Sequence, residues 1–199
     1  MMRLVLATRN RGKIREMTAA LQGLDVEICS SLDFPHLPPI LEDGLTFREN
    51  AVKKAESVCH RTGLLSLADD SGLEIDALRG RPGIQSSRFA GAKQDDDHNI
   101  DKVLNLLRDV PPDRRQARFR CVIALAGPGE ETATAEGTCE GSIALERRGS
   151  SGFGYDPIFL PAGHGKTFAE LGPAVKDRIS HRAKALQAAR DILREKLRA

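Results

Sequence analysis

The sequence predicts an α/β fold, and three observations carry that prediction. The first is a strand, polar loop and helix at the N-terminus. There the β-type run RLVLA at 3–7 precedes a helical stripe of Ile14, Met17, Leu21 and Leu24. The second is a capped helix from Thr46 to about Arg61 that leads straight into an apolar run, Leu64, Leu65 and Leu67. The third is a pair of long β segments, 117–126 and 132–147, that read as antiparallel strands added to the sheet.

Length and composition bound the rest. With 199 residues and 40% hydrophobic content, the chain is expected to fold as one domain, 1–199. Aromatic content is only 4%, with no Trp and one Tyr, so a base-stacking platform for single-stranded nucleic acid is not expected. A net charge of +2, with basic residues spread along the chain, argues for neither nucleic-acid nor membrane partners. The N-terminus carries too short an apolar run for a signal peptide, and no segment has the length of a membrane span. Cys29, Cys59, Cys121 and Cys139 are far apart with no CxxC, which predicts free thiols in a reducing cytoplasm.

Taken in order, the first loop holds Thr8, Asn10, Gly12 and Lys13. A helix N-terminus offers free N–H groups, which suits phosphate, and Lys13 opposes the helix dipole unless an anion meets it. A capped helix with a solvated Lys13 fits the same pattern. Residues 25–29 read as a second strand and the proline-bearing 33–41 as a loop. Thr46 with Glu49 forms a capping box, and Gly63 stops the helix, so Glu49 has a structural task. Glu42 precedes that helix where no cap needs it. Lys53 and Lys54 sit one turn in.

The run 64–67 reads as a short strand that ends at Asp69-Asp70-Ser71-Gly72. All four residue types favour turns, so an ordinary turn is one reading. An acidic pair presented to a ligand is the other, favoured by the polar, Gly-rich stretch that follows, Arg79 to Phe89. Carboxylates beside arginines suit a phosphorylated ligand with a bound cation. Residues 94–108 form a helix whose Asp95, Asp96 and Asp97 are explained by the helix dipole. In 149–160, Gly152 and Gly154 flank Phe153, which allows close backbone approach to a flat ligand or a simple turn with Phe153 in the core. GHGKT at 163–167 is not a P-loop, because Leu160 stands where its first glycine is required. A last helix starts at Ser180, with His181 and Arg182 in its first turn.

Six stretches in order resemble the inosine triphosphate pyrophosphatase family, the Ham1-like group. They are TRNRGK (8–13), EDGLTFRENA (42–51), ADDSGL (68–73), PGIQSSRFAG (82–91), GFGYDPIF (152–159) and ISHR (179–182). Departures are small: Ser151 stands where glycine is frequent, and Ser87 where alanine is. The resemblance implies an elongated mixed β-sheet flanked by helices, with two lobes and a central cleft, in a cytoplasmic homodimer. It implies hydrolysis of ITP, dITP, XTP and dXTP to the monophosphate and pyrophosphate with Mg2+, cleansing the nucleotide pool.

By that resemblance Asp70 is the general base, and Glu42, Asp69 and Asp70 form the metal region. Thr8, Asn10, Lys13 and Lys54 meet the triphosphate, and Ser71 contacts substrate. Phe153, Gly154, Tyr155 and Asp156 line the nucleotide, with Phe153 against the base. Lys176, His181 and Arg182 reach the base edge. Those three are mainly donors, matching the 6-oxygen of hypoxanthine and xanthine and rejecting the 6-amine of adenine. Three other classes fit less well. A binding module without turnover has no use for the intact acidic set. A hydrolase releasing orthophosphate would want a γ-phosphate cradle. A Maf-like pyrophosphatase of different base preference would not call for these base-edge donors.

Overall fold

The computed structural model of the chain describes residues 2–197; Met1, Arg198 and Ala199, at the ends of the expected 1–199 domain, lie outside the described residues. The described residues form, in order, β1 (Met2–Leu6), α1 (Arg11–Ala20), β2 (Val26–Ser30), α2 (Phe47–Thr62), β3 (Leu65–Ile75) and α3 (Asp96–Leu106). Then come β4 (Gln116–Ala126), β5 (Ala133–Ile143), β6 (Phe159–Pro161), α4 (Phe168–Leu171), α5 (Pro173–Ile179) and α6 (His181–Lys196). The strands make one sheet in the order β2-β1-β3-β4-β5-β6. β1 is parallel to β2 and to β3, and β6 is antiparallel to β5, so the sheet is mixed, as the α/β expectation required.

The chain divides into two compact units. The first comprises the residues up to Asp70, Cys121–Gly137 and those from Arg182 on; the second is Ser71–Arg120 with Thr138–His181. The first unit's core gathers Leu4 and Leu6 of β1, Leu65 and Leu67 of β3, and Ile123 and Leu125 of β4. Each pair is two residues apart, so each strand offers one face. Met17 and Leu21 from the α1 region and Leu186, Ala189 and Leu193 from α6 cover that face. The second unit's core is separate and more aromatic. Phe119, Phe159 and Phe168 pack together with Leu73, Ile75, Ile100 and Val103.

Local signals placed the helices well. Asn10 caps α1 by accepting from the Lys13 N–H, and Thr46 caps α2 by accepting from the Glu49 N–H. Glu49 reaches the Leu45 N–H rather than that of Thr46, so the α2 box is offset by one residue. Gly63 ends α2 in the left-handed region at φ 67°, where glycine carries no Cβ penalty. GHGKT leads into α4, where Thr167 and Glu170 make a complete capping box.

The central segment corrects the sequence reading. Asp69-Asp70-Ser71-Gly72 is not a turn: β3 runs unbroken from Leu65 to Ile75, and both aspartates are buried within it. Turn propensity loses here because each carboxylate has cationic partners, so a buried strand is tolerated.

Candidate active site

The site in the first unit is built on the two aspartates of β3. Successive side chains leave a strand on opposite faces, so the neighbours meet different partners. Asp70 meets α2. Lys54 Nζ lies 2.9 Å from Asp70 Oδ1 and 2.8 Å from Glu42 Oε1, so one ammonium joins two carboxylates. Asn50, one turn before Lys54, donates from Nδ2 to Asp70 Oδ2 at 3.3 Å. Its other end, Oδ1, accepts from the Gly44 N–H at 2.8 Å. Asn50 therefore ties the segment carrying Glu42 to the Asp70 carboxylate. A Cβ at Gly44 would lie 2.7 Å from Asn50 Oδ1 and 2.9 Å from Glu49 Cβ, so that tie requires glycine.

Asp69 meets a different set. Arg182 donates to its Oδ2 from Nε at 3.0 Å and from Nη2 at 2.9 Å, and Lys13 Nζ lies 2.9 Å from its Oδ1. Arg182 Nη1 also donates to the buried Glu16 carboxylate. The Cys121 thiol sits 3.9 Å from Asp69 Oδ2, and burial pushes its pKa far up. Among the described residues, Cys29, Cys59, Cys121 and Cys139 are thiols outside any disulfide.

These surroundings split the pair electrostatically. Burial raises the pKa of Asp69, but Lys13, Arg182 and Lys54 outweigh it and hold the carboxyl well below the usual range. Asp70 goes the other way. Burial pushes its pKa up, and Lys54 and Lys13 only partly oppose that, because Lys54 is shared with Glu42. Lys54 itself stays charged: burial disfavours its charge, yet Asp70, Glu42 and Asp69 together raise its pKa. The two adjacent carboxyls thus shift in opposite directions: Asp69 is held as an anion, and Asp70 is the readier of the two to take up a proton.

At the start of α1, Thr8 Oγ1 accepts from the Asn10 N–H at 3.2 Å, and Asn10 caps the helix. Thr8 is half-buried and Asn10 exposed. The anion expected opposite Lys13 is present, and it is Asp69. Ser71, half-buried, follows Asp70 in β3.

The second unit holds the other predicted residues. Asp156 is buried and accepts from Lys176 Nζ at 2.6 Å and from the Phe153 N–H at 3.0 Å. Lys176 Nζ also lies 4.3 Å from the Phe153 ring centroid, a cation–π contact. Gly152 is needed for this arrangement: at φ 88°, a Cβ there would lie 2.1 Å from Asp156 Oδ2. The Gly154 N–H donates to Asp96 Oδ2 at 2.8 Å, so one of the three aspartates at α3 anchors the glycine island. Tyr155 is core, donating from its hydroxyl to the Ser86 carbonyl at 2.8 Å. Its pKa is raised by burial and by the nearby Asp96. His181 is buried and stacks on Phe119, centroids 4.6 Å apart and planes 12° off parallel.

Arg182, assigned by the resemblance to a base edge, donates to Asp69 and Glu16. Asp69, grouped with the metal region, meets Lys13 and Arg182. Sequence reasoning missed Asn50 and Glu16. A mid-helix Asn is unfavourable without a task, and it stands four residues before Lys54, which was the available signal for Asn50. Glu16, adjacent to the buried Met17, gave a weaker one.

Among the described residues no group of three or more His, Cys, Asp or Glu side chains gathers to hold a metal. Glu42 and Asp70 nevertheless converge on one cation, Lys54 Nζ, with hard anionic oxygens. A two-carboxylate set fits Mg2+, which takes few protein ligands and completes its shell with water and substrate phosphates.

The site is thus a buried carboxylate pair in a mixed α/β sheet, each member with its own cationic partners. A family model described as the Ham1 family matches residues 4–192, and the chain belongs to that family. The dITP/XTP pyrophosphatase of Desulforamulus reducens is 52% identical over 192 residues, covering 96% of each chain. That of Geobacillus kaustophilus is 52% identical over 186 residues, covering 94% of this chain and 91% of its own. Among solved structures, a HAM1 protein from Coxiella burnetii superposes with TM-score 0.89 at 44% identity, covering 98% of this chain and 100% of its own. The Staphylococcus aureus Ham1 protein gives 0.87 at 39%, covering 98% and 99%. No helix among the described residues is long and apolar enough to cross a membrane.

Proposed function

We propose that this protein hydrolyses non-standard purine nucleoside triphosphates, ITP, dITP, XTP and dXTP, to the monophosphate and pyrophosphate with Mg2+. The observation that carries the reading is the convergence of Glu42 and Asp70 on one cation position, in a chain half identical to proteins named dITP/XTP pyrophosphatase. A cytoplasmic homodimer is the proposed setting.

Attack at the α-phosphorus needs a water relieved of its proton and a leaving group whose charge is offset. Asp70 is the proposed base. Asn50 fixes the orientation of its carboxylate, the group that would take the proton from water. Glu42 and Asp70 would hold Mg2+, which when bound would offset the phosphate charge. Asp69, locked as an anion, positions Lys13 for the triphosphate. Thr8, Asn10 and the α1 N-terminus add donors, and Ser71 lies next to the base. In the second unit, Phe153 is assigned to the purine face, and Gly154 and Tyr155 shape the segment around it. Lys176, oriented by Asp156, and His181 are assigned to the 6-oxygen. Arg182 serves this scheme by holding Asp69.

Two results test the scheme. Hydrolysis in 18O-water should place the label in the monophosphate; label in pyrophosphate would move the attack to the β-phosphorus. Lys13→Ala should raise KM and lower kcat/KM by roughly 10- to 100-fold, the scale of a lost charge-assisted hydrogen bond. An unchanged kcat/KM would leave Lys13 with Asp69 as its only task.

A further inference from the structure

The ammonium of Lys54 sits where two carboxylates meet, and this has a consequence for metal loading. Glu42 and Asp70 come from separate elements, the loop before α2 and strand β3, and both point at Lys54 Nζ, at 2.8 and 2.9 Å. Lys54 is buried, with its side chain 8% exposed, as is Asp70 at 9%. A divalent cation entering between these oxygens would face a full positive charge at hydrogen-bond distance from each. An ammonium leaving them would be stranded without an anion, and a buried unpaired charge is costly.

We propose that Lys54 is a resident counter-cation that excludes the metal until a polyphosphate arrives to receive it. The inference rests on the metal reading above and deepens it. Without nucleotide, Lys54 neutralises the Glu42–Asp70 pair, and free metal binds weakly. A triphosphate offers the ammonium new anionic partners, the carboxylates are released, and the cation enters with the nucleotide. Metal and nucleotide therefore bind with positive coupling, and by linkage each tightens the other. Glu42 completes the arrangement. It is the more exposed carboxylate, with its side chain 33% exposed, and its segment is tied to Asp70 through Gly44 and Asn50. Both anions thus remain in place when the ammonium leaves.

The test is metal binding to the nucleotide-free protein, read by Mn2+ electron paramagnetic resonance and by Mg2+ calorimetry. Wild type should bind the metal weakly, and Lys54→Met at least about tenfold more tightly, within the usual scale of coupling between sites. Lys54→Gln, which keeps a hydrogen-bond donor while removing the charge, serves as the second variant should Met at this position prevent folding. A third arm adds a non-hydrolysable triphosphate analogue to wild type, which should tighten Mn2+ binding to the protein. Equal metal affinity of wild type and the folded variant would overturn the proposal while leaving the metal site intact. Absence of metal binding in the variants and in the analogue-loaded wild type would overturn the metal assignment and the proposal together.

Discussion

Asp70→Asn should lower kcat by roughly 10²- to 10⁴-fold, the range of a lost general base, while substrate still binds. Asparagine keeps the shape, but its single oxygen can accept from only one of Asn50 and Lys54, and it cannot take a proton. The pH profile separates this from a folding defect. Burial raises the Asp70 pKa, so wild-type kcat/KM should fall as pH drops through a midpoint above the ordinary carboxylate value of about 3.9. Below that midpoint Asp70 is protonated and has no proton-accepting capacity left. The residual rate of Asp70→Asn should lack that acid limb. Some stability should be lost, because the buried Lys54 then keeps only Glu42 of these two carboxylates. For Asp70 itself, a carboxyl whose folded pKa is raised contributes stability present below its unfolded pKa and lost as pH rises through the folded one. Near-wild-type turnover in this variant would refute the assignment.

Arg182→Met should be the most destabilising change in the first unit. The guanidinium, 2% exposed, is shared by two buried carboxylates, Asp69 and Glu16. Removing it takes one guanidinium from both, with Lys13 still facing Asp69, a loss of about 3–5 kcal/mol for a broken buried ion pair. At this chain length that is a fall in Tm of roughly 6–20 °C. The pH dependence has a definite sign. Asp69 is held below its ordinary pKa, so its contribution is fully present above the unfolded value and is lost as pH falls. Wild type should therefore lose stability on acidification, and Arg182→Met should lose less because part of that contribution is already gone. Thermal melts of both proteins across the acidic range measure it. Superimposable melts at neutral pH would show the network to be energetically silent.

What the sequence revealed followed the range of the interaction. Thr46, Gly63 and Asp95 were legible because each acts within a turn of its own helix. The apolar stripe along α1, Ile14, Met17 and Leu21, was legible because helical spacing alone specifies it. The strand character of Asp69-Asp70-Ser71-Gly72 was hidden. Its partners lie on α1, α2 and α6, and Arg182 is 113 positions away from Asp69. Local preference for a turn was the only signal available there, and distant cations overrule it. The same distance hid the division between Asp69 and Asp70, which sit side by side in the sequence and face different neighbours. Phe153, Asp156 and Lys176 were each picked out, but the use of Gly152 to admit the Asp156 carboxylate becomes visible only with the backbone in place.

The proposed enzyme releases pyrophosphate and is selective for 6-oxo purines outside the standard set. Product analysis with ITP, XTP, GTP and ATP in Mg2+, scoring pyrophosphate against orthophosphate, decides this. Pyrophosphate and monophosphate are expected from ITP and XTP, with little product from GTP or ATP. Orthophosphate release, or equal turnover of ATP and ITP, would refute the proposed function.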